Sequence, residues 1–486
     1  MPGPGPLPVS RRHAHFPLAR SRREFLQQAG CGFGALALNW LLREEPARGA
    51  THVAVDPYAP KPPHFRPKAE RVIFLFMHGG PSHLETFDPK PDLQRLAGKP
   101  LPPSFGMVAT RRKVANNPLL ATKRTFRKHG QSGIEISDFL PNIAQRADDL
   151  AVVRSCWADS VNHPQAVYQI NTGTVLMGKP SLGSWVSYGL GTENRNLPSF
   201  VVLPDPGGGI KGGPPAYGAG FLPASHQGTV VRGGSSPILD LKPPSGITPD
   251  DQRGVLDLVG RLNAHHLETR GEDGELAARI QSYELAYRMQ SAAPEAVDLA
   301  GESAETKALY GLDDARSAEF GTRCLLARRL VERGVRFVQL YSGDVGGWDA
   351  HDDVETNHAT MCARTDKPVA GLLADLKRRG LFENTLVVWG GEFGRMPMSE
   401  SGKGRDHNPH GFTFWFAGAG IKGGTVHGAT DAVGLRAEVD RVHVHDLHAT
   451  ILHLMGLDHT QLTFPLNGRE ERLTDTAGKV VRTILT

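Results

Sequence analysis

Arg71-Val72-Ile73-Phe74-Leu75-Phe76-Met77 runs directly into His78-Gly79-Gly80-Pro81-Ser82. From Val72 onward the first part has no polar residue, the pattern of a strand covered on both faces. The glycines and proline that follow form a turn able to open a loop or a helix. Outward from this stretch the same grammar repeats. Ala151-Val152-Val153, Phe200-Val201-Val202-Leu203, Val335 to Tyr341, Thr385-Leu386-Val387-Val388-Trp389 and Phe412 to Ala417 read as further strands. Residues 250–289, 318–332 and about 365–379 read as helices, and Asp446 as the cap of a last helix with Leu447, Ile451, Leu454 and Met455 at helical spacing. Strands alternating with helices predict an α/β fold, a mainly parallel sheet flanked by helices on both faces. Residues 205–245, rich in Gly and Pro and without period, predict an irregular insertion within a single domain spanning 51–486.

In such a sheet, ligands bind beyond the carboxyl ends of the strands, so the polar residues just after each strand matter most. Four segments stand out: His78 to Asp88, Gly346-Gly347-Trp348-Asp349-Ala350-His351-Asp352, Gly390-Gly391-Glu392-Phe393-Gly394-Arg395, and, just before the strand at Phe412, Gly404-Arg405-Asp406-His407-Asn408-Pro409-His410-Gly411. Carboxylate oxygens combined with imidazole nitrogens are the ligand set of zinc, manganese or iron. The candidate ligands are His78, Asp349, His351, Glu392 and one of His407 or His410. A divalent metal there, zinc first, with manganese, iron or calcium as alternatives, would lower the pKa of bound water and polarise a phosphoryl or sulfuryl oxygen. His163 is a candidate for moving protons near neutral pH. Ser82 and Ser160 are the side-chain nucleophiles on offer, and Arg395 and Arg405 suit an anionic substrate through bidentate bonds. Plainer readings stand beside these: Ser82 as a helix cap, Asp88 before Pro89 as a turn residue, and His443, His445, His448 and His453 as packing in the last helix.

The first fifty residues carry different information. Ser21-Arg22-Arg23-Glu24-Phe25-Leu26 precedes an uncharged stretch from Ala29 to Leu42, which is the order of a twin-arginine export signal. That stretch is shorter than the roughly 20 apolar residues a spanning helix needs. Residues 1–50 therefore read as a removable signal and linker, the mature chain as lacking a transmembrane anchor, and its destination as the periplasm or the extracellular space. Seven of the 55 Lys/Arg and three of the 51 Asp/Glu lie in this segment, so the remainder carries 48 of each. The formal charge of +4 belongs to the signal, and no basic surface points to nucleic acid. Cys156, Cys324 and Cys362 fit neither a disulfide framework nor an iron–sulfur site, and no dinucleotide fingerprint is present, which argues against a redox enzyme.

Thr385 to Arg395, Trp348-Asp349-Ala350-His351, Gly404-Arg405-Asp406-His407 and His445-Asp446-Leu447-His448-Ala449-Thr450-Ile451-Leu452 together resemble a large bacterial family of twin-arginine-exported proteins. That family is catalogued as a domain of unknown function and is related to sulfatases within the alkaline-phosphatase superfamily. The resemblance places His78 where sulfatases and phosphatases carry a metal-binding Asp. It places Glu392-Phe393-Gly394 where they have D-H-G or D-N-G, and the His407/His410 pair where they have a late metal-binding His. Asn162-His163-Pro164 resembles the stretch that holds the sulfatase nucleophile. No Cys stands in a C-x-P-x-R setting, however, and Phe393 cannot ligate metal, so a sulfatase mechanism does not carry over unchanged. The implied function is an exported metal-dependent hydrolase acting on a small anionic sulfate or phosphate ester, or on a sulfated or phosphorylated glycan. The departures keep open a non-catalytic envelope or binding protein on a degenerate sulfatase-like fold. No sequence feature addresses oligomeric state.

Overall fold

The computed structural model describes residues 58–232, 238, 246–270, 274–343 and 346–486, without the side chains at 264, 266–270 and 274–280. The expected export signal lies outside the described residues. Eleven strands frame the fold: β1 (Arg71–Met77), β2 (Leu150–Trp157), β3 (Phe200–Leu203), β4 (Thr229–Val230), β5 (Phe337–Ser342), β6 (Thr385–Gly390), β7 (Gly394–Glu400), β8 (Gly404–Asn408), β9 (Phe412–Gly418), β10 (Thr425–His427) and β11 (Val442–His443). A nine-stranded sheet runs in the order β10-β2-β9-β6-β1-β5-β3-β4, with β11 also paired to β2. β1 lies between β5 and β6, parallel to both, with Phe74 opposite Gln339 on one side and Val388 on the other. β9 alone is inverted, pairing antiparallel with β6 and β2. β7 and β8 form a separate antiparallel hairpin.

The alternation within β1 explains both layers. Ile73, Leu75 and Met77 enter a core shared with Met289, Leu325 and Leu373 of helices α4 (Gly274–Val297), α5 (Ala318–Glu332) and α6 (Val354–Arg378). Val72, Phe74 and Phe76 enter a second core with Val167, Trp185 and Leu452 of helices α1 (His163–Thr172), α2 (Leu182–Leu190) and α7 (Val444–Leu454). Each such side chain contributes about 1.5–3 kcal/mol by leaving water. A charge at Leu75 would be buried without a partner, the one kind of change such a strand does not tolerate. The sheet is thus mixed but mainly parallel and covered on both faces. Val55–Thr486 forms one compact unit. Among the described residues no helix is long and apolar enough to cross a membrane.

Three local expectations need correction. Helix α6 begins at Val354, not near 365, because the Asp353 carboxylate accepts the Thr356 N–H at 3.1 Å and starts the helix earlier. Helix α7 is capped by His443, whose ring nitrogen accepts the His445 N–H, while Asp446 sits at the third helical position and accepts the His443 N–H at 2.8 Å. Gly404 to Asn408, read only as a polar stretch before the strand at Phe412, is a strand with all five residues buried. Within the 205–245 segment, residues 205–232 hold two 3-10 turns and the short β4.

Candidate metal centre

The carboxyl ends of β1, β2, β5 and β6 carry the candidate residues to one edge of the sheet. His163 is the first residue of α1, which follows β2. Asp349 and His351 follow β5, and Glu392 follows β6. His407 reaches the same edge because β9 is inverted, so that the β7–β8 hairpin preceding it hangs over the carboxyl ends of its neighbours.

Four groups converge there. Asp349 Oδ1 lies 2.9 Å from His351 Nε2 and 3.1 Å from His407 Nε2, and its Oδ2 lies 3.0 Å from His163 Nε2. The other nitrogen of each ring is held from behind. His163 Nδ1 is 2.6 Å from Glu392 Oε1, His351 Nδ1 is 2.6 Å from Glu400 Oε2, and His407 Nδ1 is 2.6 Å from the Val161 carbonyl oxygen. A carbonyl oxygen only accepts, so His407 donates from Nδ1 and, when neutral, presents a lone pair at Nε2. Burial first, then the neighbouring Arg395 charge, hold the His407 pKa down to about 3, so this ring is neutral. Its contact with Asp349 therefore sets one acceptor against another. His163 Nε2 and His351 Nε2 are likewise buried without a hydrogen bond of good geometry, although each is within 3.0 Å of Asp349.

Acceptors that face one another at this distance are reconciled by a cation between them. Three imidazoles with a carboxylate, each ring fixed by a carboxylate or carbonyl behind it, form a donor set suited to zinc, manganese or iron. Calcium, which takes six to eight oxygens, fits poorly. Asp349 is ready for that role. Burial opposes its ionisation, but the three histidines and the Arg395 charge outweigh burial and hold its carboxyl well below the ordinary range.

His78 and Glu392 form an adjacent group that shares His163. Glu392 is fully buried; its oxygens accept the Gly79 N–H at 2.9 and 3.1 Å. Burial would raise its pKa, but His78 and His163 together bring it down to about 2. Its closest contact is to the back of His163, whose ring it orients, and with His78 and His163 it makes up a second candidate metal group. His78 Nε2 accepts the Lys211 N–H at 3.1 Å and is 4.0 Å from Glu392. Gly79 lets these parts meet: at φ +113°, a Cβ there would lie 2.5 Å from Trp348 N and 2.6 Å from Asp349 N.

The remaining expectations separate. His410 stands outside the cluster, its Nε2 3.4 Å from the Ala109 carbonyl, so the pair His407/His410 resolves to His407. Ser82 is fully buried, donates its hydroxyl to Glu85 and gives its N–H to His358 at 2.8 Å; it is neither a side-chain helix cap nor part of the converging group. Ser160 bonds to Gln165 and accepts the Asn162 N–H. Arg395 is fully buried, binding the carbonyls of Gly79, Gly80, Arg405 and Trp348 as well as Asp349. It fixes the strand-end loops. Arg405 is committed in the same way to Glu85 and three backbone carbonyls. His163, expected to move protons, is one of the four converging groups. The histidines at 443, 445, 448 and 453 belong to no candidate metal group among the described residues.

Three contributors were missed from sequence. Glu400 backs His351, and Phe393 stacks on His407 with ring centroids 4.4 Å apart and covers His163 at 4.9 Å. Lys211 places its ammonium 2.7 Å from Asp349 Oδ2 with 23% of its side chain exposed.

A family model described as a protein of unknown function (DUF1501) matches residues 69–485. Among curated proteins, none matches the chain. Solved structures similar to it include Ps i-CgsB in complex with k-i-k-neocarrahexaose, at 11% identity over 80% of this chain and 72% of that one, with a TM-score of 0.35. The PsFucS1 sulfatase from Pseudoalteromonas sp. is similar at 13% identity over 80% and 68%, TM-score 0.34. The alkaline phosphatase from the Antarctic bacterium TAB5 is similar at 10% identity over 81% and 99%, TM-score 0.34. At these values the chemistry rests on the cluster itself.

Proposed function

The chain belongs to the DUF1501 family, and on that premise we propose that it is an exported metal-dependent hydrolase of sulfate or phosphate esters. One observation carries this reading: three imidazole nitrogens and Asp349 converge, each ring pinned from behind through its other nitrogen. We propose zinc, held by His163, Asp349, His351 and His407. Bound there, it would supply Lewis-acid polarisation of the ester's phosphoryl or sulfuryl oxygen.

The chain's own residues do the rest. Glu392, Glu400 and the Val161 carbonyl keep the rings in one tautomer and orientation. Phe393 closes one side of the centre against water, which strengthens every charge interaction inside it. Lys211, half-buried and cationic, is positioned to meet the anionic ester group. Ser82 and Ser160 are bonded elsewhere, so the reading takes water as the nucleophile. The substrate is a small anionic ester or a sulfated or phosphorylated glycan. Export follows from the twin-arginine segment at Ser21 to Leu26.

The test begins with metal. Mature protein expressed with zinc, manganese and iron present should carry a stoichiometric ion, and Asp349→Ala should lose it. Aryl phosphate and aryl sulfate esters then decide the reaction class. Absence of any stoichiometric ion would overturn the reading, as would equal turnover in Asp349→Ala. A second reading, a binding protein without catalysis, is favoured by the two cations, Arg395 and Lys211, already paired with Asp349. A loaded protein that turns over no ester would select it.

A further inference from the structure

A cavity of about 360 Å³ opens where β3 and β4 meet α4 and helix α3 (Pro249–Arg270). Its floor is Ser199 and Phe200 at the amino end of β3 and Thr229 at the amino end of β4, whereas the metal centre lies beyond the carboxyl ends of the parallel strands. The two are therefore on opposite edges of the sheet. Tyr58, Tyr283 and Tyr287 present aromatic surface to the cavity, and Gln252 and Gln290 present amides. No Asp, Glu, Lys, Arg or His is among its described lining residues. On α3, Arg253 bonds Glu284 at 2.7 Å and Asp257 at 2.6 Å, and its guanidinium lies 5.1 Å from the Tyr287 ring centroid.

Two polar atoms of this lining lack partners. Ser225 Oγ, on a residue only 8% exposed, and Gln252 Oε1 are both buried without a hydrogen bond. Each costs about 1–3 kcal/mol while unsatisfied. A purely apolar occupant would leave both unmet. An ionised one would meet no counter-charge among the described lining residues, at greater cost. What satisfies them is an uncharged molecule with hydroxyl groups, able to donate to Gln252 and to exchange bonds with Ser225, and with a flat C–H face to lie on tyrosine. The volume falls within the range of small-ligand sites. We infer that this cavity is a carbohydrate-binding site for a neutral mono- or disaccharide unit, separate from the metal centre and independent of what that centre does.

Saturation-transfer NMR on the full mature protein with lactose, maltose and cellobiose tests it. Transfer to at least one disaccharide is expected. Gln252→Ala and Tyr283→Phe, at partly or largely exposed positions on helices, serve as variants whose melting midpoints verify folding. Gln252→Ala should weaken the sugar by about tenfold, while Tyr283→Phe, which keeps the ring, should retain it. Metal content should not change in either, which keeps this result distinct from the fate of the hydrolase reading. No transfer to any of the three sugars overturns the inference. So does transfer undiminished in Gln252→Ala, or displacement of bound sugar by an apolar probe such as toluene without loss in that variant.

Discussion

Replacing Glu400 by Gln removes one negative charge and almost no volume from behind His351. The native contact, 2.6 Å between His351 Nδ1 and Glu400 Oε2 with both side chains 9% exposed, is a nearly dry imidazole–carboxylate bond. Losing such a partner lowers metal affinity by about 10–100-fold, or about 1.4–2.7 kcal/mol. The amide oxygen of Gln can still accept from Nδ1, so ring orientation survives and only the charge is lost. That places the expected effect at the lower end, about tenfold. Arg112, 3.1 Å from the other Glu400 oxygen and 48% exposed, turns to water at little cost. Competition with a chromophoric chelator for zinc near neutral pH reads the affinity of wild type, Glu400→Gln and His410→Ala. His410 lies off the cluster, so its variant should bind as wild type does. Equal zinc affinity in wild type and Glu400→Gln, or an equal loss in His410→Ala, would refute the arrangement.

Acid should destabilise the protein through histidines far from the centre. His226 and His448 are each 2% exposed, and burial, aided at His226 by the nearby Lys61 charge, brings both down to about 3. A histidine neutral when folded and near 6.5 when unfolded gives its full contribution above that value, then loses it as pH falls toward 3: about 1.4 kcal/mol each at pH 5.5. Thermal midpoints equal at about pH 7.5 and pH 5.5 would contradict this. Gly79→Ala forces a Cβ into the backbone of Trp348 and Asp349 at positive φ, and should lower the unfolding free energy by about 3 kcal/mol or more in urea titration. Arg395→Lys keeps the charge but cannot span its carbonyl partners; a loss of about 3–5 kcal/mol would mark a structural role, whereas a raised KM at native stability would return Arg395 to the substrate.

β1 was legible because a strand covered on both faces must be apolar throughout, and its end marked where chemistry would stand. Asp349 and His351 followed from the same rule applied to β5. What sequence hides is which atom of a ring faces inward. His163 was read as a proton carrier from its imidazole alone, because its partner Glu392 lies 229 residues away. Glu392 looked like a ligand because a carboxylate after a strand needs a partner, and that partner proved to be the back of an imidazole. Glu400 lies at the far end of a hairpin strand, opposite a β8 whose Arg-Asp-His-Asn content has no alternation to announce it. Lys211 sits among glycines and prolines, a setting that carries no periodic signal.

The inversion of β9 has a consequence for tolerance to insertion. A parallel strand in that place would have required a crossover of a dozen or more residues back to the far end of the sheet. Instead the chain passes from Asn408 to Phe412 in a single tight step, and the Pro409 carbonyl accepts the Ala158 N–H at 2.8 Å. His407 is therefore tethered on a short leash to the strand pair that carries the loop leading to His163. Length changes between Glu392 and Gly394, or between Asn408 and Phe412, shift one histidine against the other, while the hairpin tip at Ser401 and Gly402, exposed at both residues, can lengthen with the least disturbance. Natural variation in chain length should collect at that tip and spare the leash.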